Sequence, residues 1–327
     1  MEREEKFYTE ILVVSKETGL PVKKILDMLF HLQEGESIEN NELLRKLGVS
    51  RNVMNQVKER LSEFLDPSSG LTALSVTGKK DVEMISDLMT DPEEFIINTD
   101  NEKVKKTIEL LERHKGKRPE SKREYDQFTA TFETTARRAC LMDFFADIRG
   151  KRILFLGDDD FTSLAVASFK SAKNIHILDI DQRILDGLKS SSSEEKLKIN
   201  TSRYNAVERL PQNYKGNFDV VFTDPPYTSD GVALFLSRAI DALDSKNQSA
   251  RIYFCYGNSD RAKERFLPIY EVFSSSGLMI RWVFDKFNRY QGAEFIGSAS
   301  SLFILDVTSK TKPLVVGNYD KPIYTNN

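Results

Sequence analysis

Cysteine and histidine are scarce in this chain. Cys140 and Cys255 lie far apart with no Cys-x-x-Cys, so neither a zinc knuckle nor a disulfide framework is indicated. His31, His114 and His176 are scattered without ligand spacing, and no metal centre is expected, although carboxylates alone can hold Mg²⁺. Long apolar runs are missing too: nothing approaches the roughly 18 residues that a membrane span needs. The opening Met1-Glu2-Arg3-Glu4-Glu5-Lys6 is too acidic and polar for a secretory or transit signal, so the expected location is the cytoplasm. Nor is there a surplus of positive charge. With 47 Lys/Arg against 50 Asp/Glu the net charge is −3, which argues against a dedicated nucleic-acid binder and suits a cationic substrate.

What remains is an ordinary globular composition, 40% hydrophobic and 30% charged over 327 residues, enough for about two domains. Residues 1–100 are predicted to form a small winged-helix-like domain. Val22 to Leu32 carries apolar residues at helical spacing, and Ile38 to Leu47 and Ser50 to Leu65 follow as shorter helical patterns around Gly48-Val49. Ser50 is a plausible N-cap for the second. A turn at Asp66 to Gly70 leads into an extended stretch, Leu71 to Val76. Residues 1–90 hold 12 Lys/Arg against 16 Asp/Glu, so the basic surplus that a DNA reader uses on phosphates is absent. A structural or dimerising module is the favoured reading. Residues 101–124, with Arg113, Lys115, Lys117 and Arg118 beside Pro119, read as a charged linker with a solvated face.

Residues 125–327 are predicted to form the catalytic domain. Lys151 to Leu156, Asn174 to Ile180, Phe218 to Thr223 and Arg251 to Tyr256 are short β-like runs alternating with helical stretches from Phe161 and Gln182. That alternation indicates a mostly parallel sheet covered on both faces. Leu278 to Phe287 and Ser301 to Val307 fit a closing antiparallel pair. The fold class is α/β, a methyltransferase-like Rossmann domain.

Ligands of such sheets sit at the carboxyl ends of the strands, near the switch in strand order. Three strands end in acids there: at Gly157-Asp158-Asp159-Asp160, at Leu178-Asp179-Ile180-Asp181, and at Asp224-Pro225-Pro226-Tyr227. A carboxylate ending the second strand can accept both hydroxyls of a ribose. Asp179 is the first choice and Asp181, two residues on, shares its face; both could instead cap the next helix. In Asp-Pro-Pro-Tyr the prolines hold the backbone rigid and free of amide donors. The aspartate is thereby presented as an acceptor for an amine, and the tyrosine ring can pack on a base or a cation. The first turn discriminates most. S-adenosylmethionine enzymes place a Gly-rich turn there, whereas this one holds one glycine and three aspartates. A carboxylate facing the cofactor's carboxylate at ~4 Å is repelled by about 4 kcal/mol at an effective dielectric of 20. Decarboxylated S-adenosylmethionine and a polyamine escape that cost. Mg²⁺ binding or helix capping by Asp158–Asp160 is the alternative.

With Tyr125-Asp126-Gln127 upstream, the chain resembles the N4-bis(aminopropyl)spermidine synthases, the branched-chain polyamine synthases of archaea and thermophiles. The resemblance spans nearly the whole chain. It implies transfer of aminopropyl groups from decarboxylated S-adenosylmethionine to the N4 amine of spermidine, with methylthioadenosine released, and a homodimeric enzyme. It further implies that the essential acids are Asp158, Asp159 and Asp160, and that Tyr125, Asp126 and Gln127 form the element preceding the first strand. Asn205, with Ala206, stands where an acidic residue often meets the adenine amino group. Asp159 is expected to hold the attacking amine and take its proton, with Asp224 next. Asp158, Asp160, Tyr125, Asp126, Pro225, Pro226 and Tyr227 would then flank the acceptor. Gln127, Gly157, Asp158, Asp179, Asp181, Asn205, Ala206 and Asp224 would receive the donor. The competing readings are a nucleic-acid or protein N-methyltransferase of the Asp-Pro-Pro-Tyr type and a ligand-sensing regulator.

Overall fold

The computed structural model describes residues 2–33, 37–66, 70–91, 101–257, 263–291 and 299–324. They fall into two compact units, one of Met1–Ile96 with Phe144–Asp147 and Lys246–Ser249, the other of the remaining residues.

The first unit comprises α1 (Glu2–Thr18), α2 (Val22–Gln33), β1 (Ile38–Glu39), α3 (Asn40–Leu47), α4 (Arg51–Arg60), β2 (Leu71–Thr72) and α5 (Val76–Met84). Ile25, Leu26, Met28, Leu29 and Leu32 of α2 are buried, as the helical spacing requires. The Glu39 carboxylate caps α3 by accepting the Asn41 and Glu42 amides, and Gly48, at φ +62°, ends it. Ser50 does stand at the N-cap of α4, but its hydroxyl makes no capping bond. The extended stretch is shorter than expected. Only Leu71–Thr72 pairs with β1, and Leu74 bridges Leu65. Ser75 then accepts the Gly78 amide and starts α5 at Val76. Pro67 to Ser69 of the expected turn lie outside the described residues.

The second unit is built on a seven-stranded sheet of β3 (Arg152–Leu156), β4 (Asn174–Asp179), β5 (Asn200–Arg203), β6 (Val220–Thr223), β7 (Arg251–Tyr256), β8 (Met279–Arg289) and β9 (Ala299–Asp306). Its order is β5-β4-β3-β6-β7-β9-β8. β3 to β7 run parallel, while β9 is antiparallel to both β7 and β8. This is the mostly parallel sheet with an antiparallel closing pair that the sequence predicts. Around it lie α6 (Glu102–Arg113), α7 (Phe132–Phe144), α8 (Thr162–Ala167), α9 (Gln182–Glu194), α10 (Ser229–Ala242) and α11 (Phe266–Ser275). Phe155, Phe222 and Tyr253 follow one another across β3, β6 and β7, and Val232, Leu234, Leu236 and Ala239 of α10 are fully buried. The chain leaves β3 for β4 on one side and returns to β6 on the other, so the switch in strand order falls at β3.

The stretch read as a charged linker is ordered here. α6 buries Val104, Thr107, Leu110 and Leu111, and Arg113 pairs with Glu195. Arg118 is not part of a solvated face: its side chain is 6% exposed and tied to Asp160. Among the described residues no helix is long and apolar enough to cross a membrane.

Candidate active site

The carboxyl ends of β3, β4 and β6 open onto a cleft at the switch in strand order. Tyr125, Asp126, Gln127, Gly157, Asp159, Asp179, Ala206, Asp224 and Pro226 of the predicted site line it, and Tyr204, Phe235 and Tyr324 join them.

The acidic turn after β3 divides its three aspartates. Gly157 takes φ +78°, a left-handed conformation that glycine adopts without strain. Asp158 turns inward and caps α8, its carboxylate accepting the Thr162 and Ser163 amides at 2.8 and 3.1 Å. Burial pushes that carboxyl up to about 8. Asp160 also turns inward. It accepts Arg118 Nη2 and Arg138 Nη1, each at 2.6 Å, and the Ala130 amide at 2.5 Å. Its oxygens are therefore held by two buried guanidiniums and an amide, and its side chain is 3% exposed. Asp159 alone faces the cleft. Among the described residues its carboxylate accepts no hydrogen bond; only its backbone carbonyl is engaged, by Arg118 Nε at 3.0 Å. Burial, with Asp160 and Asp224 nearby, holds this carboxyl well above the usual range.

At the end of β4 the two candidate acids part. Asp179 faces the cleft, and its oxygens accept the Asp158 and Asp181 amides at 2.9 and 2.8 Å, which fixes its plane. Burial pushes it up to about 6. Asp181 follows the last strand residue, so strand alternation no longer applies to it. It caps α9 through the Arg183 amide at 3.0 Å and pairs with the Arg183 guanidinium at 2.6 Å. Against burial, that guanidinium holds the carboxyl below its ordinary value. Asp181 thus serves as the cap of α9. Gln127 lies on the cleft wall, but its side-chain oxygen accepts the Lys122 amide at 2.8 Å.

Asn205 is likewise occupied. Its side-chain oxygen accepts the Val207 amide at 3.2 Å, and Tyr204 and Ala206 on either side line the cleft in its place.

The turn after β6 presents Asp224, covered by donors. Arg138 Nη2 and Tyr290 Oη reach Oδ2 at 2.9 and 2.6 Å, and Tyr227 Oη reaches Oδ1 at 3.2 Å. Burial raises this carboxyl, and the Arg138 charge works against the rise. The ring of Tyr227 packs on Tyr256 with centroids 5.1 Å apart, and neither Tyr227 nor Pro225 is among the residues that line the cleft. Tyr125 faces Tyr324 across the cleft wall at 5.9 Å.

Reasoning from sequence missed Arg118, Arg138, Asn288, Tyr290 and Ser300, which fix these acids from outside the motifs. Arg138 sits on a helix whose buried residues give no sign of a charge partner, and Asn288 and Tyr290 lie beyond Phe287, where the reading of that strand from sequence stops.

Residues 107–323 match the model of the family described as the branched-chain polyamine synthase A C-terminal domain. Over 200 residues, 61% of this chain and 49% of the relative, the chain is 42% identical to an uncharacterized protein of Methanocaldococcus jannaschii. It is 33% identical to the N(4)-bis(aminopropyl)spermidine synthase of the same organism over 56% of this chain and 53% of the relative. The chain thus spans about half the length of the curated relatives it matches. Among solved structures it is similar to a mutein of the branched-chain polyamine synthase from Thermus thermophilus in complex with N4-aminopropylspermidine and 5'-methylthioadenosine. That likeness has a TM-score of 0.62 at 22% identity, covers 99% of this chain and 98% of that one, and concerns the fold.

Proposed function

The chain belongs to the family of the branched-chain polyamine synthase A C-terminal domain, and from that premise we propose that it is an aminopropyltransferase. Its donor is decarboxylated S-adenosylmethionine, its acceptor the secondary N4 amine of spermidine, and its by-product methylthioadenosine. The reading rests chiefly on one observation: the Asp159 carboxylate faces the cleft and accepts no hydrogen bond among the described residues, while Asp160 is held by two buried guanidiniums. A wall carrying Asp159, Asp179 and Asp224 attracts the sulfonium and ammonium of the decarboxylated donor and repels a donor that keeps its carboxylate.

Asp179 accepts the ribose hydroxyls, Ala206 borders the base, and Asp159 receives the proton that the acceptor nitrogen must shed. The nitrogen lone pair then attacks the aminopropyl carbon, the carbon–sulfur bond breaks, and its electrons stay on sulfur as a neutral thioether. Because the leaving group is neutral, no acid is needed for its departure. What the site supplies is an unprotonated nucleophile and alignment. The same reading makes the protein a cytoplasmic homodimer, which light scattering on the purified protein checks.

The deciding experiment is incubation with spermidine and decarboxylated S-adenosylmethionine, followed by mass spectrometry. The expected products are spermidine carrying one or two added aminopropyl groups, together with methylthioadenosine. Methyl transfer from S-adenosylmethionine to nucleic acid or protein, with no aminopropyl product, overturns the reading.

A further inference from the structure

Arg138, Asn288, Ser300, Tyr290 and Asp224 close a ring of hydrogen bonds behind the cleft, and its directions are set by chemistry. Arg138 Nε donates to Asn288 Oδ1 at 2.8 Å, and the Asn288 amide donates to Ser300 Oγ at 2.8 Å. Ser300 is then left with its own proton to give to Tyr290 Oη at 2.8 Å, and Tyr290 gives its proton to Asp224 Oδ2 at 2.6 Å. Arg138 Nη2 completes the circuit to the same oxygen at 2.9 Å. Arg138 is 1% exposed, Asn288 0%, Ser300 2% and Tyr290 9%, so water does not compete for these bonds.

Resting on the reading above, we propose that Tyr290 is a positioning residue which, through this ring, holds Asp224 as a fixed anionic anchor for an acceptor ammonium, leaving proton removal to Asp159 alone. The two carboxylates face the same cleft with opposite surroundings. Asp224 meets three donors, whereas Asp159 meets none among the described residues. An acid held by three donors is a poor base and a good fixed charge. An acid without donors, close to like charges, is the better base. The charged and titratable groups facing Asp224 are Arg138 from α7, Tyr290 at the end of β8, Tyr227 on its own turn, Cys255 from β7, and Asp159 and Asp160 from the turn after β3. Of these, Tyr290 can be altered without removing a charge.

The test is Tyr290→Phe, which keeps the ring and deletes the donated proton. Losing one hydrogen bond to a carboxylate is expected to raise the spermidine KM about tenfold and leave the donor KM within about twofold. Asp224 then takes up a proton more easily, so the acidic limb of kcat/KM for spermidine moves to higher pH, a change that a purely structural role would not produce. Ser300→Ala, one link back, should shift both readouts the same way but less, and it serves if the first variant does not fold. Unchanged spermidine KM and pH limb in a folded variant, or a rise in the donor KM alone, sinks the inference. Absence of aminopropyl product from the wild-type protein sinks the underlying reading instead.

Discussion

Two acidic turns stand on neighbouring strands at one end of the sheet, after β3 and after β6, and they treat their carboxylates in opposite ways. The first has three aspartates and spends two of them on structure: Asp158 on a helix start, Asp160 on two buried guanidiniums. The second has one aspartate and surrounds it with donors on both oxygens. The number of acids in a motif is therefore a poor measure of the charge a ligand meets. What decides the chemistry is which carboxylate accepts no hydrogen bond among the described residues, and on the cleft wall Asp159 is such a group.

The strongest way to break the comparison is to exchange its two members. Asp159→Ala should lower aminopropyl transfer by about 10³-fold or more, as expected when a general base is lost, while the protein stays folded. Asp224→Ala should cost less in kcat and more in spermidine KM. Equal effects of the two on both parameters would erase the distinction between base and anchor. Steady-state kinetics with circular dichroism on each variant gives the answer.

Next in size is an effect on stability. Asp160→Ala leaves Arg118 and Arg138 buried without their shared carboxylate. Breaking a buried pair from one side costs about 3–5 kcal/mol. Chemical denaturation should show a loss of that order for Asp160→Ala and a much smaller one for Asp159→Ala. The contrast sharpens the split within a single tripeptide: one neighbour serves the fold, the other the reaction.

That split was only half visible in the residue order. The strands β3, β4, β6 and β7 are legible because each is a compact run of β-branched, aromatic or leucine side chains, and their ends locate the cleft. β5 is Asn-Thr-Ser-Arg at the sheet's edge, with no apolar signal at all. The acids at the strand ends are legible as a group, but not by direction. Past the last paired residue the chain turns, alternation no longer assigns faces, and inward or outward pointing is settled by partners distant in sequence. Arg118, read as a solvated charge, lies 42 residues from Asp160, and Tyr290 lies 66 from Asp224. Such pairings are properties of the folded topology.

A smaller effect is expected from Asp179. Its carboxyl is pushed up to about 6 by burial, against the two amides it accepts. A raised carboxyl is protonated below that value, so the ribose acceptor weakens as pH falls through about 6. Methylthioadenosine carries no charge at the reacting sulfur and is the cleaner probe. Its affinity should be flat above pH 7 and fall toward pH 5, by up to about tenfold per unit once the acid is mostly protonated. Asp179→Asn should abolish that dependence and weaken binding at pH 8. A wild-type affinity that does not vary between pH 5 and 8 removes Asp179 from the donor site.

The smallest expected effect concerns the neighbour two residues on. Asp181 and Asp179 look equivalent when the strand is assumed to continue, yet β4 ends at Asp179. From there Asp181 reaches forward to the Arg183 amide and guanidinium and begins α9. Asp181→Ala deletes a cap and one arm of an ion pair whose arginine is 41% exposed in its side chain. The surface partner contributes little, so the cost is that of the cap, about 1 kcal/mol, read as a lower denaturation midpoint. Methylthioadenosine affinity should stay at the wild-type level, because the Asp181 amide that Asp179 accepts is retained in alanine. A loss of nucleoside affinity as large as that of Asp179→Asn would mean that the two acids act together on the ligand, and the division drawn at the end of β4 would fail.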